Sequence, residues 1–173
     1  LDQIPADGLK VDLTFPKDAR TDKGGFRIQL QSSLATLPGS VADYMKNYEY
    51  NCFEQQSSVA VATRNTQAWA KLMKQLPSYT DSKGLIKFWP MMREGSVDLT
   101  RYVVTLSYFA SQINPSFKIP KESLDALLAS LMKAVEGKEV PSHSWIPQSV
   151  IVAEKVAAAE AVSHYLPVGP KTY

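Results

Sequence analysis

Residues 9–15, L-K-V-D-L-T-F, alternate apolar and polar side chains, and residues 26–31, F-R-I-Q-L-Q, repeat the alternation. A period of two is that of a half-buried strand. The polar, glycine-containing stretch between them is turn chemistry, so the opening of the chain predicts two strands, residues 1–32 forming one segment. From Ser33 the period changes. Val41, Tyr44, Met45 and Tyr48 recur at helical spacing after the start signal Pro38, Gly39, Ser40. Residues 53–76 accommodate one long helix or two, and Asn65 with Thr66 favours two, because together they offer a new N-cap in the middle. Residues 77–83 read as a polar loop, and 84–90, G-L-I-K-F-W-P, as a short extended segment closed by Pro90. Asp98 is the expected N-cap of a helix whose stripe is Leu99, Tyr102, Val103, Leu106, Phe109, Ala110 and Ile113. The next helix has Pro120 at its first turn, a stripe of Leu124, Leu127, Leu128, Leu131 and Val135, and Gly137 as its stop. A last helix, rich in Ala and Val, spans about 147–166.

Short connections between successive amphipathic helices predict antiparallel hairpins, each needing neighbours over its apolar stripe. With 173 residues, 45% of them hydrophobic and 21% charged, the chain can bury a core of its own and reads as one main domain, residues 33–173, behind the strand segment. A net charge of +2, with basic residues scattered, gives no footprint for nucleic acid or an anionic membrane. No run of about 18 apolar residues is present. The first residues carry no signal-peptide pattern, so an export signal or anchor is expected outside this chain. A single cysteine permits no internal disulfide and too little sulfur for a zinc cluster, and no phosphate loop or metal-ligand cluster is visible. Neither a cofactor nor a metal is expected.

The one cysteine nonetheless carries chemistry. In Y-N-C-F-E-Q, residues 50–55, Cys52 stands three positions before Gln55. On a helical turn, residues so spaced share a face, with Cβ atoms roughly 5 to 6 Å apart. A thiol there can reach a carboxamide carbon. Addition of sulfur with loss of ammonia leaves an internal thioester, an acyl group ready for an outside nucleophile. Thiolate leaves readily, since a thiol ionises near pH ~8.5. Such a chain is a single-use acyl donor, not a turnover enzyme. Water must be kept away until it is needed. Tyr44, Tyr48, Tyr50 and Phe53 crowd the same segment and are the candidates for that shielding, plain core packing being the alternative. Glu54 points to another face, where an exposed carboxylate suits the helix dipole.

Residues 40–58, S-V-A-D-Y-M-K-N-Y-E-Y-N-C-F-E-Q-Q-S-S, resemble the thioester segment of the alpha-2-macroglobulin and complement family, especially its bacterial members. Tyr48, Tyr50, Cys52, Glu54, Gln55 and Ser58 fall on matching positions. Glu49 stands where bacterial members often have Pro, and Asn51 where they usually have Gly. A glycine before the cysteine permits a positive φ, which Asn also tolerates. The likeness continues through 84–90, similar to a Gly- and Trp-containing loop of those members, and into the helix pair of 99–137.

The resemblance implies a mainly α fold: part of an α/α toroid of antiparallel helical hairpins, preceded by two strands of a neighbouring β-sandwich. It implies a piece of a larger protein holding about the leading half of that ring. The function implied is a protease inhibitor of the alpha-2-macroglobulin type, in which Gln55's acyl group passes to a lysine amine of the trapped protease and Cys52 is freed. The implied partners are target proteases and other domains of the parent protein, with no nucleic acid and no direct membrane contact from this segment. The implied setting is the periplasm or cell envelope, with membrane anchorage through a segment elsewhere. Two other classes remain open. One is a degenerate member without the thioester, serving as a structural or interaction module, and the other is an α/α-toroid enzyme. His143 and His164 are conceivable base partners for Cys52, but neither sits in a context that aligns with the family's acceptor-directing histidine. Trp89 and Trp145, in loops beside prolines, are expected in the core.

Overall fold

In the computed structural model the described residues are 8, 14, 17–18, 20, 22, 38–49, 51–138 and 146–167. The chain divides into two compact units, Leu1–Thr36 and Leu37–Tyr173. The predicted strands at 9–15 and 26–31 fall almost wholly outside the described residues. In the first unit, Lys17 and Asp18 form an exposed turn, and Arg20 pairs with Asp22 at 2.7 Å.

The second unit is helical among the described residues. Its elements are α1 (Pro38–Lys46), α2 (Phe53–Ala62), α3 (Thr66–Gln75), α4 (Val97–Ile113), α5 (Lys121–Val135) and α6 (Gln148–Ser163). The break between α2 and α3 is where Asn65 predicted it. The Asn65 side chain accepts the amide hydrogen of Ala68 at 2.9 Å and caps α3, while Arg64 just before it takes φ 55°. A 3-10 turn, Leu76–Tyr79, follows α3 in what the sequence suggested as plain loop, and it buries Leu76 and Tyr79. The start of α4 differs from expectation. Ser96, not Asp98, is the N-cap: its hydroxyl accepts from Leu99 N at 3.2 Å, and Asp98 lies in the first turn paired with Arg101 at 2.8 Å. Both residue types cap well, and the one whose oxygen meets the third amide takes the role. At the end of α5, Gly137 has φ 72°, and Lys138 N bonds Lys133 O at 2.8 Å, so the glycine stops the helix as its left-handed conformation allows.

Helices α2 and α3 pack together across residues 63–65, α4 packs on α2, α5 and α6, and α5 packs on α6. Their shared core holds Trp69, Leu72 and Leu76, then Leu99, Val103 and Val104, with Leu127, Leu131 and Val162 opposite. Each large aliphatic side chain buried this way contributes roughly 1.5–3 kcal/mol. Trp69 is the largest, edge-on to Phe117 at 5.8 Å with its indole N–H donated to Lys118 O at 3.3 Å. The stripe predicted for α4 is partly rotated. Leu99, Val103 and Ala110 are buried, but so are Thr100, Val104 and Ser107, whereas Phe109 and Ile113 are exposed at 56% and 85%. Polar residues turn inward here because loops need partners. Thr100 Oγ1 accepts from Ile86 N at 2.8 Å, and Ser107 Oγ donates to Phe117 O at 2.8 Å while accepting from Ile119 N at 3.1 Å. A third buried hydroxyl, Ser130 of α5, donates to Lys83 O at 2.6 Å. Helix α6 is buried through Ala158, Ala159, Ala161 and Val162, whereas Val150, Val152 and Val156, which precede them, are exposed.

The segment between α3 and α4 is a loop tied at several points rather than a strand. Thr80 and Ile86 form an isolated antiparallel bridge. Asp81 organises the turn, its Oδ1 accepting from Lys83 N and Leu85 N at 2.9 Å each and its Oδ2 from Gly95 N at 2.7 Å. Gly95 lies against Leu85 so closely that a Cβ would sit 2.4 Å from the Leu85 carbonyl oxygen.

Candidate functional site

Cys52 is the N-cap of α2, in extended backbone at φ −66° and ψ 168°, and its residue surface is 3% exposed. Gln55 occupies the third helical position. Its carboxamide folds back over the turn, and Oε1 accepts the amide hydrogen of Cys52 at 3.1 Å. The arrangement is a capping box with a thiol where a hydroxyl usually stands. Cysteine is a weak cap, so ordinary helix stability does not by itself call for it here. Cys52 thus precedes the helical turn rather than lying on it, and the Gln55 side chain meets its backbone amide.

The turn is braced from three directions. Phe53, whose own amide is among those an α-helix leaves without an internal partner, donates that hydrogen to Phe88 O at 2.9 Å. The loop of residues 84–90 is therefore tied to the residue that follows the cysteine. The Gln56 side chain donates through Nε2 to the carbonyl of Asn51 and lies 3.5 Å from the Tyr79 hydroxyl. Ser58 Oγ lies 2.7 Å from Tyr102 Oη of α4. None of Gln56, Tyr79, Phe88 and Tyr102 stands out in the sequence as part of the site. Adjacency of Gln56 to Gln55 is the only local signal, and the other three arrive from distant positions in the chain.

The four shielding candidates do not behave alike. Phe53 is fully buried, with its ring 4.9 Å from that of Tyr79, and belongs to the core beneath the turn. Tyr48 is half-buried and stacks obliquely with Tyr44 at 5.7 Å. Tyr44 itself is 65% exposed, and Val41 is 52% exposed, so the stripe predicted for α1 does not sink into the core of the described residues. Helix α1 ends at Lys46, before Tyr48. Tyr50 lies outside the described residues, as do His143 and Trp145. Trp89, expected in the core, is 44% exposed, because its neighbour Phe88 takes the inward position against the core.

Asn51, where the resemblance has glycine, is not in left-handed backbone. Arg64 alone, among the described non-glycine residues, has a positive φ, so the position before the cysteine needs no left-handed backbone. Glu54 is exposed in the first turn, as expected. His164 is remote in role: it closes α6, bonds Glu160 Oε1 at 2.7 Å and stacks on Tyr108 at 4.4 Å. Those contacts account for it without Cys52. Among the described residues, no helix is long and apolar enough to cross a membrane.

Compared with protein-family models, with curated proteins and with solved structures, the chain has no match.

Proposed function

We propose that this chain is the thioester-bearing region of an alpha-2-macroglobulin-like protease inhibitor. The observation that carries the reading is the Gln55 carboxamide held back on the amide of a buried Cys52, at 3.1 Å and 3% exposure. Sulfur adds to Gln55 Cδ, the thiol proton leaves with the amide nitrogen as ammonia, and a thioester remains. A lysine amine of a bound protease then attacks the same carbon, an amide forms, and Cys52 departs as a thiol. The acceptor is thus joined covalently to residue 55. The helices of 38–167 would form the leading part of an α/α toroid, and other domains of the parent protein would carry the bait that a protease cuts. A periplasmic or cell-envelope setting, membrane anchorage elsewhere in the parent and a role in bacterial defence follow from the same likeness.

A thioester-less structural module is the second reading, and it rests on the departures at Glu49 and Asn51. The Asn51 departure is the weaker of the two, since Asn51 is not among the described residues with a positive φ and so does not stand where glycine alone would serve. Intact mass and thiol titration separate the two. The inhibitor reading expects a chain lighter by one ammonia, with no titratable thiol until methylamine is added and one thiol afterwards. A chain of full mass, with Cys52 titratable in the unfolded protein before any amine, sinks it.

A further inference from the structure

Resting on the thioester reading, we infer that Gln56 is a positioning residue for the bond-forming step. Its Nε2 holds the Asn51 carbonyl, and so orients the peptide unit whose N–H polarises Gln55. The Asn51 carbonyl and the Cys52 N–H belong to one planar, trans peptide unit, so their directions are opposite and fixed to each other. Gln56 grips the oxygen end of that plane. The nitrogen end donates to Gln55 Oε1 at 3.1 Å. When Cys52 sulfur adds to Gln55 Cδ, the C=O π pair moves onto Oε1, and the N–H already aimed at that oxygen stabilises the developing charge. As the tetrahedral carbon collapses, the C–N bond breaks and the nitrogen leaves as ammonia with the proton from sulfur. The same N–H meets the same oxygen when an amine later attacks the thioester. One backbone donor therefore serves both the forming and the spending of the bond, and one side chain sets its direction.

Tyr79 completes the grip. Its hydroxyl is 3.5 Å from Gln56 Nε2, and its ring is buried against Phe53 at 4.9 Å. Gln56 is thus linked to the core and not merely to a neighbouring loop. Loss of an oxyanion donor itself costs roughly a hundredfold to a thousandfold in rate. Loss of the group that only aims the donor costs less, about tenfold.

The test compares unaltered chain, Gln56→Glu and Gln56→Lys, each freshly translated and followed by intact mass over time, then challenged with methylamine. Gln56→Glu keeps the volume and removes the donor. Gln56→Lys restores a donor. The expected result is ammonia loss about tenfold slower in Gln56→Glu, methylamine uptake slowed by a similar factor, and recovery of both in Gln56→Lys. A merely structural Gln56 gives the opposite sign in the second step, because a loosened turn admits amine and water faster. Equal rates of ammonia loss in all three chains, or faster methylamine uptake in Gln56→Glu, overturn the inference and leave the parent reading standing. No ammonia loss in the unaltered chain overturns both. Should Gln56→Glu not fold, Tyr79→Phe carries the test: it removes the hydroxyl near Gln56, and a slowing of the same sign in both steps is expected, an unchanged rate being fatal.

Discussion

Phe88 O accepts the amide hydrogen of Phe53 at 2.9 Å, and that bond ties a loop more than thirty residues away in sequence to the first turn of α2, beside Cys52. The fold and the site meet there. If the loop shields the cysteine, what fixes the loop should also set the reactivity of the thiol.

Gly95→Ala tests that dependence. The new Cβ would meet the Leu85 carbonyl at 2.4 Å, and backbone atoms cannot yield as a side-chain tip would. The variant should lose about 1–3 kcal/mol of stability, and any chain with a free thiol should react faster with an aromatic disulfide reagent than unaltered protein. A melting temperature within a degree or so of the parent, with unchanged thiol reactivity, would show that the loop is not what shields Cys52.

Asp81→Asn is a finer probe of the same loop. The aspartate accepts from Gly95 N through Oδ2 and from Lys83 N and Leu85 N through Oδ1. An amide keeps one oxygen and turns an N–H donor toward another donor, so a loss of about 1–3 kcal/mol is expected in urea unfolding. A neutral result would mean that the loop re-forms around other acceptors.

The tryptophans separate cleanly. Trp69 is fully buried and Trp89 is 44% exposed. Trp69→Ala should cost about 3–5 kcal/mol, whereas Trp89→Ala should stay within roughly 0.5 kcal/mol of the parent. Thermal melts of the two variants decide it, and comparable losses would contradict the burial pattern.

Glu154 gives the pH dependence. Burial first, then the negative charge of Asp98, push its carboxyl above the usual glutamate range, with Arg101 opposing. A carboxyl harder to ionise in the folded chain favours folding at acid pH. That advantage is full below the ordinary value of 4.5 and is lost as pH rises through the raised one. Glu154→Gln should therefore be more stable than the parent at neutral pH, by less than about 1 kcal/mol because the group is partly solvated. The gain should disappear in mild acid. A variant less stable at neutral pH would place the weight on the Arg101 attraction instead.

Periodic and local features of this chain were legible before any coordinates. Helices α4 and α5 follow from their apolar spacing and the break before α3 from Asn65, while the separation of three between Cys52 and Gln55 puts the glutamine over the N-cap amide. What escaped prediction is non-local. Nothing near Trp89 in sequence says that Phe88 takes the inward, partly buried position. The inward Thr100 and Ser107 look like errors in a helical stripe until Ile86 and Phe117 are seen to need them. Between Ser96 and Asp98 two capable caps offered two helix starts, and the earlier one, on the Leu99 amide, is taken. The same limit hid Tyr79, Phe88 and Tyr102 from the site, since each reaches it from a distant stretch whose placement only tertiary packing decides.

Three buried hydroxyls, on Thr100, Ser107 and Ser130, each tie a connecting segment to the flank of a long helix. The amides of Ile86 and Ile119, though outside any helix, are consequently locked to α4, and they should exchange with deuterium only when α4 itself opens. Connections that would ordinarily fray first are drawn into the same cooperative event as the helices they join, so a protease or a solvent fluctuation finds no early point of entry there.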